Sequence, residues 1–349
     1  MVLLAFPRNI IKTVESALTS TWVFVVAHYQ VGIDGGHVLP ALLKLNRLRN
    51  YEILIIAFLH TLPLAASTSH DASFWRTIRE NNFAVPPHES VGDLALEIAE
   101  LAAETDPVLR DKLGYEILAA WVYRQHLLSG EQLEALRRKL VPAMTFHIGE
   151  SDTDTVFRRS FSALYMSILA AQDLREPFLS SSAFKETLDS ALRCYAEEKD
   201  LRGYVPEKGW AHATAHVADL LKFLGRNPKL SVEDQKRMVA AIAQRCRTVP
   251  SVLVWGEDAR MAAALLSLVA DKGFEPSIFD DWFHALVAEN KHLWKAPKID
   301  IPQYVSVRTQ SNVLAQLLAK MAAEKGNDQT HTFQMSLSDI LNKLDHPDE

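Results

Sequence analysis

An all-α fold of antiparallel helix pairs is what this 349-residue sequence predicts, stacked as an α/α superhelix of HEAT or armadillo type or closing toward an α/α toroid. Three observations lead there. Beyond residue 70, apolar residues recur at three- and four-residue spacing, the period of a helix with one buried face. Breakers follow every twenty to thirty residues (Ser129-Gly130, Gly149, Pro177, Gly203 to Gly209, Gly225 to Pro228, Pro250, Gly273 and Pro276), so that two helices make a unit of HEAT-like length. No alternating β-branched run is bounded by hairpin turns, and no glycine-rich strand-to-helix loop supplies a dinucleotide or phosphate fingerprint. A strict internal repeat is absent.

The elements follow in order. Leu94, Ile98 and Leu101 share a face, with Glu97 and Glu100 between them, which predicts a helix over 91–104. Asp106-Pro107 reads as a cap with a first-turn proline, opening a helix that runs to about His126. Ser129 and Gln132 form a capping-box pattern ahead of Leu133, Leu136 and Leu140. Further helices are expected over 153–171, 183–198, 210–224, 232–247, 258–271, 277–290 and 304–325, with a short last one over 337–344.

Composition narrows the function classes. At 48% hydrophobic and 23% charged residues the chain is globular rather than disordered. A net charge of −6 argues against nucleic acid as the main partner, which would call for a basic excess. Two cysteines, Cys194 and Cys246, leave no disulfide framework and no four-thiolate zinc site, a usage compatible with a reducing cytoplasm.

Charge is unevenly spread. Residues 1–70 carry only five Lys or Arg and three Asp or Glu, and they read as a poorly specified apolar extension ahead of a single helical domain over 71–349. Two uncharged stretches in it, 16–33 and 53–70, approach the length of a membrane span. Ser16, Thr19, Ser20, Thr21 and His28 dilute the first, and His60, Pro63 and Ser67 to His70 the second, which argues against insertion. A signal-like order, Lys44, Arg47 and Arg49, then Ile53 to Leu59, then Ala65-Ala66, begins too far into the chain to act as one.

The least ordinary segment is 197–221, where a charged helix end enters a Gly/Pro loop that opens a strongly apolar helix. At 100° per residue, His212, His216 and Asp219 fall within about 60° of one another on that helix. A polar stripe on an otherwise buried helix is costly unless each group finds a partner. Histidines at i and i+4 with a carboxylate offer three ligands to one metal ion. A zinc-protease helix would carry Glu after the first His, where this chain has Ala213. Acid–base work, with Asp219 orienting an imidazole, is the second chemical reading. A buried polar staple is the plain structural one.

Glu198-Lys199-Asp200-Leu201-Arg202-Gly203-Tyr204, Gly209-Trp210-Ala211-His212, Ala215-His216 and Ala218-Asp219-Leu220-Leu221 resemble the mainly bacterial domain-of-unknown-function family 2785. Weaker matches are Arg159 to Leu164, Pro177-Phe178-Leu179, and Gly256-Glu257-Asp258 with Arg260-Met261-Ala262, so that the resemblance runs over about 74–325. It implies no established activity, substrate or cofactor.

The flanking residues complete the candidate set. Asp200 and Arg202, two apart, suit a loop clamp, and Arg202 also suits bidentate pairing with an anionic ligand. Tyr204 would cover or seal a pocket. Trp210, placed about 200° from His212 on the expected helix, reads as core. Glu257 and Asp258 suit the positive end of a helix, and equally a carboxylate pair of glycosidase type if both faced one cleft. The seven tryptophans are scattered and form no aromatic run. Two functions are therefore expected: a binding or scaffolding module that presents this site to a protein partner or small ligand, or a hydrolase-like enzyme, metal-dependent or not, that uses His212, His216 and Asp219.

Overall fold

A computed structural model describes residues 70–271, 273–323 and 328–345; the expectations for residues 1–69 lie outside the described residues. Among the described residues the chain is mostly helical, as its periodicity predicts. The α-helices are α1 (Ala72–Glu80), α2 (Val91–Leu101), α3 (Glu116–Ala119), α4 (Gly130–Ala143), α5 (Thr155–Arg175), α6 (Ser181–Glu197), α7 (Ala213–Leu224), α8 (Val232–Thr248), α9 (Glu257–Val269), α10 (Asp280–Lys295), α11 (Ile301–Ala323) and α12 (Asp328–Asp345). π-Helical turns, Val108–Tyr115 and Ala120–Arg124, flank α3, and a 3-10 turn, Pro276–Phe279, leads into α10.

Local chemistry sets the starts of many of these helices. Asp71 caps α1, and Ser90, Ser180 and Ser231 accept N–H bonds at the openings of α2, α6 and α8. The capping box before α4 is complete, Ser129 Oγ accepting from the Gln132 N–H and Gln132 Oε1 from the Ser129 N–H. The first of the π turns has a tertiary cause. Tyr165 of α5 donates its hydroxyl to the Arg110 carbonyl (2.6 Å), entering the helix ladder, and Gly114 leaves room for that hydroxyl, which a Cβ would strike.

The helices pack as two alternating series. α5, α7, α9 and α11 lie each against the next, while α4 packs on α5, and α6 on α8. The alternation breaks at the C-terminal end, where α8 leans on α11, and α11 also receives α10 and α12. A continuous apolar cluster runs from Trp75 to Leu344. α5 is its axis, with every residue from Val156 to Asp173 buried except Arg158. Among the described residues no helix is long and apolar enough to cross a membrane.

Three expectations need correction. The motif helix begins at Ala213 rather than Trp210, because residues 204–210 turn back as a hairpin of β1 (Tyr204–Val205) and β2 (Gly209–Trp210). The last helix starts at Asp328, well before 337. The run Arg137-Arg138-Lys139 reads in sequence as a solvated helix face, yet Arg137 is buried against Glu134 (2.7 and 2.9 Å) and Glu186 (2.9 Å).

α5 also carries buried charge at both ends. Near its start, Arg159 forms a two-bond pair with Glu198 (2.5 and 2.9 Å) and donates to the carbonyls of Phe146 and His147 (3.1 and 3.2 Å). Near its end, Asp173 accepts from the N–H groups of Phe178 and Leu179 (both 2.7 Å), from Asn227 (2.6 Å) and from Lys229 (3.2 Å). Removing one member of such a buried pair strands the other. Arg159→Ala is therefore expected to cost about 3–5 kcal/mol of unfolding free energy, read as a lower denaturant midpoint. A loss under about 1 kcal/mol would show that water enters and solvates Glu198.

Candidate functional site

The loop that leaves α6 is built against α5. Glu198, held by Arg159, accepts the Asp200 N–H (2.9 Å), and buried Asp200 grips Arg202 in turn (2.8 and 2.6 Å). Arg202 also donates to the Thr153 carbonyl (2.8 Å), so the pair clamps the loop. The hairpin then pairs Tyr204 with Trp210 and Val205 with Gly209. Gly209 has φ +75° and its α-carbon lies so close to Pro107 that a Cβ would meet that ring at 2.8 Å, which requires glycine.

Arg110 locks the hairpin from below. Wholly buried, it donates to the carbonyls of Lys208 (2.6 Å), Trp210 (3.4 Å) and Glu104, and its guanidinium lies 4.1 and 4.5 Å from the ring centres of Phe157 and Phe161. Burial pushes its pKa down to about 10, still charged at neutral pH.

His212 ends the hairpin in the left-handed region (φ 52°), and its carbonyl accepts the His216 N–H (3.1 Å) as α7 begins. A non-glycine residue there stores strain of the order of 1 kcal/mol. Its ring stacks on Trp210 (4.9 Å, 27°). Its Nε2 lies 3.7 Å from Glu257 Oε1 and has no hydrogen-bond partner, although its side chain is only 9% exposed. Glu257, the first residue of α9 and 2% exposed, accepts the Trp255 N–H (2.8 Å) through its other oxygen.

His216 is satisfied differently. Its Nδ1 is 2.8 Å from Ser160 Oγ, and Ser160 donates to the Ala211 carbonyl. With its one proton so used, Ser160 accepts from His216, which sets the Nδ1–H tautomer and leaves Nε2 as the basic nitrogen. The two imidazoles meet edge to face at 5.6 Å.

Asp219 does not join them. Its carboxylate pairs with Arg260 of α9 and with Lys222 (3.5 Å). His212 stands just before the helix, and its ring still meets that of His216. Among the described residues no group of three His, Cys, Asp or Glu is placed to hold a metal ion. Asp258 accepts the Ala259 N–H (2.8 Å), while Glu257 faces His212.

Tyr204 and Trp255, 50% and 48% exposed, stand over this cluster. Trp210, expected in the core, is the ring between them. Sequence reasoning missed Trp255, Ser160, Arg110 and Arg260. Each lies far from the motif in the chain, and the available signals were the weaker matches, Arg159 to Leu164 with Ser160, and Gly256 to Ala262 with Glu257 and Arg260.

A profile of the family described as "Protein of unknown function (DUF2785)" matches residues 144–320, a narrower span than the motifs suggest. No curated protein and no solved structure matches the chain.

Burial, reinforced by the positive charge of Arg260, lowers the pKa of His212 to about 4; a hydrogen bond with the Trp255 backbone opposes this. Burial also carries His216 well below its usual value, helped by His212, Arg260 and Arg110. Glu257 is raised, chiefly by burial. Both histidines are neutral in the fold and protonate near pH 6.5 once unfolded. Their contribution to stability is complete above that pH and lost as pH falls toward the folded values, at up to about 1.4 kcal/mol per pH unit for each group. Glu257 acts oppositely, losing stability as pH rises from its unfolded toward its folded value. Denaturant midpoints between pH 8 and 5 should therefore fall below pH 6.5, and less steeply in His216→Gln. Equal slopes would mean that His216 takes up its proton in the fold.

Proposed function

We propose that this chain, which belongs to the DUF2785 family, is a binding module of HEAT-like α/α helix pairs, a single cytoplasmic domain over 71–349. Its recognition site is the corner formed by Tyr204, Trp210, Trp255, His212 and Glu257. The alternating packing of α4 to α9 supports the helix-pair reading, and the two buried free cysteines suit a reducing compartment. The partner is a protein or a small molecule held by this corner.

One observation carries the reading. A buried imidazole nitrogen without a partner costs about 1–3 kcal/mol, and here it faces a buried carboxylate beneath half-exposed aromatic rings. Other buried polar atoms also lack a partner, among them Trp75 Nε1 and the Tyr195 hydroxyl, but His212 Nε2 is the one set between a buried carboxylate and exposed rings. Sites kept for ligands carry such unmet groups at the expense of stability. The tautomer of His216, set by Ser160, favours a second reading in which its Nε2 serves as the base of a hydrolase-like enzyme.

Glu257→Gln tests the site. Gln is isosteric, keeps an oxygen for the Trp255 N–H, and turns an amide N–H toward the orphaned Nε2 of His212. The variant is expected to gain about 1 kcal/mol in denaturant unfolding at pH 7.5. A loss of that size would show that the His212–Glu257 pair is a structural staple.

A further inference from the structure

The fold collects aromatic rings that the sequence scatters. Trp210 meets Tyr204 at 5.3 Å and 80°, and Trp255 at 5.8 Å and 77°, so that two half-exposed rings stand nearly perpendicular to a third. Trp255 reaches this place by lying directly on Gly203, where any Cβ would strike its indole. Gly256, with φ +87° and open space around its α-carbon, turns the chain from Trp255 into α9.

The polar groups at the platform select a chemistry. Glu257 offers hydrogen-bond acceptors, and so does His212 Nε2, since the hydrogen bond with the Trp255 backbone falls to Nδ1–H and leaves Nε2 unbonded. Arg260, about half exposed and anchored on Asp219, offers planar donors. A cationic ligand suits the aromatic rings but meets the same positive charge of Arg260 that disfavours protonation of both histidines. A proline-rich peptide also suits exposed aromatic rings, yet it presents carbonyl acceptors and few donors to groups that need donors. A free anion meets the charges of Glu257 and Asp219. A neutral ring with several hydroxyls satisfies every group: its C–H face stacks on indole, and its hydroxyls donate to His212 and Glu257 and accept from Arg260.

We propose that this corner binds a neutral carbohydrate, with a pyranose ring stacked on Trp255 and its hydroxyls bonded to His212, Glu257 and Arg260. The inference rests on the site reading above and names its ligand class. Because His212 Nε2 is buried, its part in binding requires a local opening of the site.

The full chain, titrated with cellohexaose, maltohexaose, mannohexaose and chitohexaose and followed by tryptophan fluorescence and calorimetry, tests it. At least one of these is expected to bind saturably, with Kd between about 10 μM and 1 mM. Trp255→Ala, a change at an exposed position, should weaken binding at least about tenfold (roughly 1.4 kcal/mol) with an unchanged far-ultraviolet spectrum. No saturation by any of the four at about 10 mM, or equal affinity in Trp255→Ala, would overturn the proposal. Saturable binding of tetramethylammonium or decaproline in place of the sugars would also overturn it. If Glu257→Gln gains stability while no sugar binds, the site stands and only its ligand class fails. If Glu257→Gln loses stability, the site reading itself fails.

Discussion

The pairing of Arg159 with Glu198 is the constraint on which the site depends. A guanidinium and a carboxylate are both removed from water, a large cost that only close geometry and further hydrogen bonds offset. The geometry is close, with two bonds between the charges. The remaining guanidinium donors are taken by the carbonyls of Phe146 and His147 and by Thr155 Oγ1, and the carboxylate also accepts the Asp200 N–H. One ion pair thereby fixes the turn before α5, the first turn of α5 and the exit of α6. From that exit the chain runs through the Asp200–Arg202 clamp into the hairpin, and the hairpin delivers Trp210 and His212. Replacing the pair by apolar residues would save desolvation but would leave these backbone groups without partners.

A second buried cation completes the arrangement. Arg110 has no carboxylate at its guanidinium; its charge is met by carbonyl oxygens and by the faces of Phe157 and Phe161. The π-helical turn that holds it answers to Tyr165, so the hairpin, the π-helix and α5 form one mutually dependent unit. Within this rigid surround, His212 keeps a strained backbone and an unbonded nitrogen. His216 differs, with its Nδ1 bonded to Ser160.

Much of the helical reading was legible because it is local. Ser129 and Gln132 meet within one turn, and Leu94, Ile98 and Leu101 face inward through the pitch of their own helix. The breaker at Gly203 to Gly209 was legible as well, but not its form. A two-residue strand has no periodicity to detect, so Trp210 was assigned to a helix and to the core, whereas it stacks on His212 between two exposed rings. The expected alignment of His212, His216 and Asp219 failed for a different reason. A wheel takes no account of neighbouring helices: the two histidine rings do meet, but Asp219 turns to Arg260 of α9.

Composition and spacing by themselves determined a mostly helical fold for the described residues, the positions of most of its helices, and the stretch from Glu198 to Asp219 as the place where polar groups would need partners. Those properties follow from contacts a few residues apart, which sequence records directly. Tertiary structure alone decided which partners those groups found. Asp219 went to Arg260, His216 to Ser160 and Glu198 to Arg159, while Nε2 of His212 found none. Each choice depends on side chains from separate helices that meet only after the core has packed, and burial then sets the charge that each group carries.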